Sequence, residues 1–168
     1  MSFELPLYAQ EKGNTCALAC LRMVLAAFGT DVTERTLEAA ASLEKRGTLI
    51  DELERLARQF NLVAEIQETT VDDLRRILDE GKLPIAYVDR AVFDLRPPQR
   101  LRHFLQHAKI HTVIPSRVTD TFITFHDPLP PSRIVRKSIR LFQQAHGILG
   151  NHCVVCSKPK LDNPSQTL

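Results

Sequence analysis

The hydrophobic pattern of this 168-residue chain changes period near Gly81. Before Gly81, apolar residues recur at three- and four-residue steps, the spacing of one helix face. After it, they come in short runs bounded by turn residues, the mark of strands. Helices first and strands afterwards predict an α+β fold, with an N-terminal helical lobe against a C-terminal antiparallel sheet lobe. The length suits a single domain with a real core over residues 1–157. Residues 158–168 are polar and read as a flexible tail.

The expected elements follow from periodicity and punctuation. Residues 1–15 are irregular, and Thr15 stands where an N-cap belongs. Leu18, Leu21, Leu25 and Phe28 define a helix over 16–28, ended by Gly29. Further helices are expected over 33–43 and 49–60, separated by Gly47-Thr48, and over 71–78, capped by Thr70. A short strand is expected over 61–66. Strands are also expected over 83–88, 111–114, 121–125 and 153–156. Residues 89–100 read as a loop around Pro97-Pro98, and residues 101–108 as a short helix or irregular arm. A polar turn is expected over 116–120, a rigid Pro-rich exit after Asp127, and a helix over 139–145.

Composition removes several classes of function. The net charge is +2, from 22 Lys and Arg against 20 Asp and Glu, so there is no broad field for a polyanion. The densest basic stretch, Arg133 to Arg140, has no interleaved aromatics and reads as a solvated face rather than a nucleic-acid site. No basic-then-apolar leader opens the chain, and no apolar run is long enough for stable membrane insertion. The expectation is a cytoplasmic protein. The four cysteines form two close pairs, Cys16/Cys20 and Cys153/Cys156, unlike a dispersed disulfide framework. Cys16-x3-Cys20 is awkward spacing for a zinc knuckle, so no metal and no cofactor are expected.

The chemistry centres on Cys16. A cysteine at a helix start meets unsatisfied backbone N–H groups and the positive end of the helix dipole, which favour the thiolate. The same N–H groups suit an oxyanion forming beside the sulfur. Cys20 lies one turn further in, where it reads as core. Gln10 sits in a loop that can fold back over the helix start, and its amide is a suitable oxyanion donor. His111 opens one strand and Asp127 closes the next, so a single turn can bring base and orienting acid together. His103 and His107 compete with His111. His126 points away from Asp127 if the strand continues, and His152 beside Cys153 carries only a weak redox or metal signal.

These residues resemble the papain-like cysteine peptidases that process double-glycine leader peptides of bacteriocins. The family pattern is a glutamine, then Asp-Cys-Gly-x-Ala-Cys-Leu-x-Met on an apolar helix that ends near glycine. Here Gln10 precedes Thr15-Cys16-Ala17-Leu18-Ala19-Cys20-Leu21-Arg22-Met23, with Gly29 after the helix. His111-Thr112-Val113-Ile114, Asp127-Pro128 and Gly47-Thr48-Leu49 look like the family's later and middle segments. Thr15 stands in place of the family's aspartate and Ala17 in place of its glycine.

The resemblance covers roughly residues 8–155. It implies a papain-like fold with Cys16 as nucleophile, His111 as base, Asp127 as orienting acid and Gln10 as oxyanion donor. It also implies a peptide substrate, with small residues such as Gly-Gly before the scissile bond. The expectation is a stand-alone peptidase or amide-bond hydrolase, without a transporter, working through an acyl-enzyme. A non-catalytic peptide-binding module of the same fold, and an acyl transferase using the same nucleophile, are the alternatives. Oligomeric state is not encoded in these patterns.

Overall fold

Leu83-Pro-Ile-Ala-Tyr-Val shows no alternation of polar and apolar residues, which is how a strand reads when both its faces are covered. In the computed structural model, which describes residues 4–41, 47–94 and 109–159, this segment is β2 (Leu83–Asp89), buried along its whole length. It lies inside a six-stranded antiparallel sheet of order β1-β6-β2-β3-β4-β5. The other strands are β1 (Val63–Glu68), β3 (Ile110–Val118), β4 (Phe122–Asp127), β5 (Arg133–Ser138) and β6 (His152–Ser157).

Strand alternation sends β2 side chains to two separate cores. Leu83, Ile85 and Tyr87 join Ile114 and Val154 beneath α1 (Cys16–Ala27), α2 (Glu34–Ala40) and α3 (Ile50–Gln59). Leu18, Leu21 and Leu25 of α1 pack there, as their spacing requires. Ala86 and Val88 join Val113, Phe125 and Val155 on the opposite face. That face is covered by α4 (Val71–Asp79), α5 (Ala91–Asp94) and α6 (Ile139–Gly147). The class is α+β, with N-terminal helices on an antiparallel sheet. Position along the chain does not separate the layers cleanly, because α4 and α6 cover the sheet's second face and β1 pairs with the last strand, β6.

Local chemistry explains most boundaries. Thr70 and Asp73 form a reciprocal capping box at the start of α4. Gly29, at φ +94°, follows α1 in the left-handed region. Three expectations need correction, and one strand was not expected. The second helix stops at Ala40, short of the expected 43, because Ala41 turns to extended backbone. Ala91–Asp94 is a turn of helix where a loop was expected. The turn expected over 116–120 is strand as far as Val118, since a register shift between Pro115 and Arg117 lets the ladder accommodate a proline. The basic stretch from Arg133 is the edge strand β5, paired with β4. An edge strand with charged side chains resists pairing with further strands. The expected arm over 101–108, Pro97-Pro98 and residues 160–168 of the expected tail lie outside the described residues. Among the described residues, no helix is long and apolar enough to cross a membrane.

Candidate active site

Cys16 is the first residue of α1. Thr15 occupies the N-cap position, but its hydroxyl does not cap the helix. It accepts from the Lys12 N–H and is turned toward the Lys12 carbonyl instead, each at 3.1 Å. The first turn of α1 also carries no acid. The positive end of the helix is therefore left for the sulfur beside it. Gly47 packs against the loop just before the cysteine. Its φ is +111°, and a Cβ there would lie 3.1 Å from the Asn14 carbonyl oxygen. Only glycine satisfies both conditions without strain.

His111 lies near the start of β3 and Asp127 at the end of β4. Ile114 faces His126 across the ladder, which sets Asp127 diagonally beside His111. The His111 Nε2 and Asp127 Oδ1 atoms are 2.7 Å apart, both side chains being buried. Oδ1 also accepts the Leu129 N–H at 3.0 Å, which fixes the carboxylate. The other ring nitrogen of His111 remains for Cys16, which lies close enough for the ring to act on its ionisation. Burial works against the Cys16 thiolate, but His111 and Thr112 together outweigh it and the thiol is held below its ordinary range. Burial likewise opposes the His111 imidazolium. Asp127 and Cys16 overcome that and raise His111 to about 9. Burial also opposes the Asp127 anion, yet the hydrogen bonds from His111 and Leu129 keep its carboxyl below the usual range. The preferred state is a thiolate–imidazolium pair oriented by a carboxylate.

Gln10 is buried in the loop before the nucleophile. Its backbone N–H donates to the Pro128 carbonyl at 2.8 Å, tying this loop to the residue after Asp127. Its side-chain Nε2 donates to the Lys12 carbonyl at 2.7 Å, and Oε1 has no partner among the described residues. Cys20 is fully buried, and its thiol donates to the Thr112 carbonyl at 3.5 Å. Burial and the nearby Cys16 push the Cys20 thiol well up. Sequence patterns did not single out Thr112 or Tyr87, paired across β2 and β3 and both buried near Cys16. Their only signal was proximity to His111 and an aromatic residue in a buried strand. Beside them a groove of about 470 Å³ is lined by Thr48, Leu49, Ile50, Tyr87, Ile110 and Leu149, among others. His126 is buried, and its Nδ1 has no partner among the described residues. His103 and His107 lie outside the described residues.

A second cysteine–histidine pair lies under the opposite face. The His146 Nδ1–H donates to the Tyr87 carbonyl at 2.8 Å, so its Nε2 is the acceptor, 3.1 Å from the Thr69 hydroxyl. Thr69 in turn lies 3.2 Å from the Cys153 sulfur. Burial pushes Cys153 up to about 12 and His146 down. Cys153 and Cys156 point into opposite cores, so the four cysteines do not converge. Among the described residues, no three histidine, cysteine or acidic side chains gather as a metal site would require.

The profile of the peptidase C39 family matches residues 4–93. Three solved structures share the fold. The peptidase domain of Streptococcus ComA, a bi-functional ABC transporter involved in a quorum-sensing pathway, is 17% identical with a TM-score of 0.70, over 93% of this chain and 100% of that one. A double-glycine-motif protease from an AMS/PCAT transporter, solved with its leader peptide, is 16% identical with a TM-score of 0.69, over 94% of each chain. A chain described as a C39-like peptidase from Bacillus anthracis is 16% identical with a TM-score of 0.70, over 93% of this chain and 96% of that one. No curated protein matches the sequence.

Proposed function

The chain belongs to the peptidase C39 family and is a cysteine peptidase; from that premise we propose that Cys16, His111, Asp127 and Gln10 are its catalytic groups. The observation that carries this reading is the 2.7 Å contact of His111 with Asp127, together with a Cys16 thiol shifted down and a His111 imidazole shifted up by each other's presence. The Cys16 thiolate attacks the scissile carbonyl. The backbone N–H at the helix start and the Gln10 amide hold the oxyanion. Gln10 must exchange its bond to the Lys12 carbonyl for this. His111 protonates the leaving amine and then takes a proton from the water that releases the acyl group. Asp127 keeps the imidazole in one tautomer and orientation throughout.

The apolar groove beside Tyr87 and Ile110 receives the peptide on the acyl side of the scissile bond. Small residues such as Gly-Gly at the cleavage point are the choice suggested by the similar double-glycine-motif protease. Residues 1–157 act as one peptidase unit. A cytoplasmic, reducing compartment suits four cysteines that are all free thiols.

The test is covalent. A peptide aldehyde or chloromethyl ketone ending in Gly-Gly is expected to add to wild-type protein at neutral pH, on Cys16 alone, and not to Cys16→Ala. Cleavage of a peptide library should then show the same residue requirement. Modification of Cys20, Cys153 or Cys156 ahead of Cys16 rejects the nucleophile assignment.

A further inference from the structure

Thr112 follows His111 directly on β3. Strand alternation turns its side chain to the face opposite that of Val113, the face that α1 covers. It is 1% exposed. Its carbonyl receives the Cys20 thiol at 3.5 Å, which docks the second turn of α1 onto this residue. Cys16 lies one turn before Cys20, so the Thr112 hydroxyl sits beside both sulfurs. Yet Oγ1 closes a well-formed hydrogen bond to neither, nor to any other atom among the described residues.

A buried hydroxyl without a partner is destabilising, and valine would fill the same space without that penalty. Packing alone therefore does not account for threonine here. The hydroxyl has an acceptor close by only when Cys16 is ionised, because a thiolate offers lone pairs that a thiol offers poorly. We propose that Thr112 is a catalytic residue whose hydroxyl donates a hydrogen bond to the Cys16 thiolate. This rests on the reading of Cys16 as nucleophile. The bond forms by rotation about one side-chain torsion and is released when the sulfur loses its charge in the acyl-enzyme. It supplements His111, which leaves the sulfur as it protonates the amine.

The role has a kinetic signature that structural support lacks. A donor to the thiolate raises the ionised fraction at neutral pH and lowers the nucleophilicity of each ionised sulfur. Iodoacetamide alkylation of Cys16, followed by mass spectrometry from pH 4 to 10, reads both. Thr112→Val is expected to raise the apparent thiol pKa by about one unit, slowing labelling on the acid side roughly three- to fivefold, because the roughly tenfold loss of thiolate is partly offset by the greater reactivity of each ionised sulfur. On the alkaline plateau it is expected to react about two- to threefold faster than wild type. Thr112→Ser, which keeps the donor, should follow the wild-type curve. If Thr112→Val does not fold, Thr112→Ala against Thr112→Ser carries the same comparison. A Thr112→Val curve that overlays wild type overturns the proposal while leaving Cys16 as nucleophile. Wild-type protein whose Cys16 fails to label at any pH overturns both readings.

Discussion

Two cysteine–histidine pairs are built on this sheet, Cys16 with His111 and Cys153 with His146, and they differ in what completes them. The first ends in a carboxylate, Asp127, and its sulfur lies at a helix start. The second ends in a neutral hydroxyl, Thr69, and a backbone carbonyl, and its sulfur lies within a strand. In the second, Cys153 S–H to Thr69, Thr69 O–H to His146 Nε2 and His146 Nδ1–H to Tyr87 form a chain of neutral donors in which every group is satisfied. No charge is needed, so burial keeps every member neutral. In the first, a fixed anion pulls a proton onto the ring and the ring pulls one from the sulfur. Residue types alone do not make a nucleophile. The added anion and the uncapped helix end do.

The sharpest way to break this comparison is to delete each sulfur. Cys16→Ala is expected to lower kcat/KM by at least about 10⁴-fold, as removal of a covalent nucleophile does. Cys153→Ala should leave kcat/KM within about threefold and instead lower unfolding stability by about 1–3 kcal/mol, through a small cavity and a lost hydrogen bond. Turnover and urea unfolding on both variants separate these outcomes. Comparable activity losses would mean that the second pair is not inert.

Asp127→Asn makes the first pair more like the second by removing its anion. A loss of roughly 10³-fold in kcat is expected, with KM little changed. The alkaline limb of the pH–rate profile should move down from about 9, since His111 is raised to that value partly by this carboxylate. An unchanged limb would assign the His111 shift to Cys16 alone. Gln10→Ala should cost about 100-fold in acylation rate with the fold intact, the usual loss of one oxyanion donor. Single-turnover acylation measured beside a circular dichroism spectrum checks both halves of that statement.

The smallest effect concerns pH and stability. His111 is raised, so its contribution is lost as pH rises from about 6.5 to about 9, while Cys16 is lowered and contributes with the opposite sign. His146 has no such partner. Its folded pKa lies below the ordinary 6.5, so only the unfolded chain takes up its proton as pH falls through that value. Stability from His146 is therefore complete above about pH 6.5 and lost below it, at up to about 1.4 kcal/mol per pH unit. His126 is shifted the same way. His146→Asn keeps a donor for the Tyr87 carbonyl and should flatten the acid slope, read by urea unfolding between pH 5 and 7. A slope identical to wild type would show that other groups set the acid limit.

Much of this was legible in the residues. The α1 stripe, the Thr70–Asp73 cap and the apolar β2 run are local signals, and local signals survive in a linear text. Cys16, His111 and Asp127 stood out because each lies at the edge of an element. β5 did not, because Arg-Ile-Val-Arg-Lys-Ser is an edge strand whose charge hides its β pattern. The second covered face of the sheet was also hidden, since α4 and α6 carry the same amphipathic pattern as helices on the first face. Thr112 was passed over because a threonine in a strand is ordinary. Its meaning lies in an unpaired oxygen, which only coordinates reveal.

β6, the last strand among the described residues, lies between β1 and β2, inside the sheet. A ribosome that has delivered residues 1–151 has already made Cys16, His111 and Asp127, yet the sheet under α1 still lacks an interior member. Non-local pairing of this kind is slow to close and cannot start before its final partner exists. The sheet beneath α1 is therefore complete only when residues 152–157 are in place between β1 and β2.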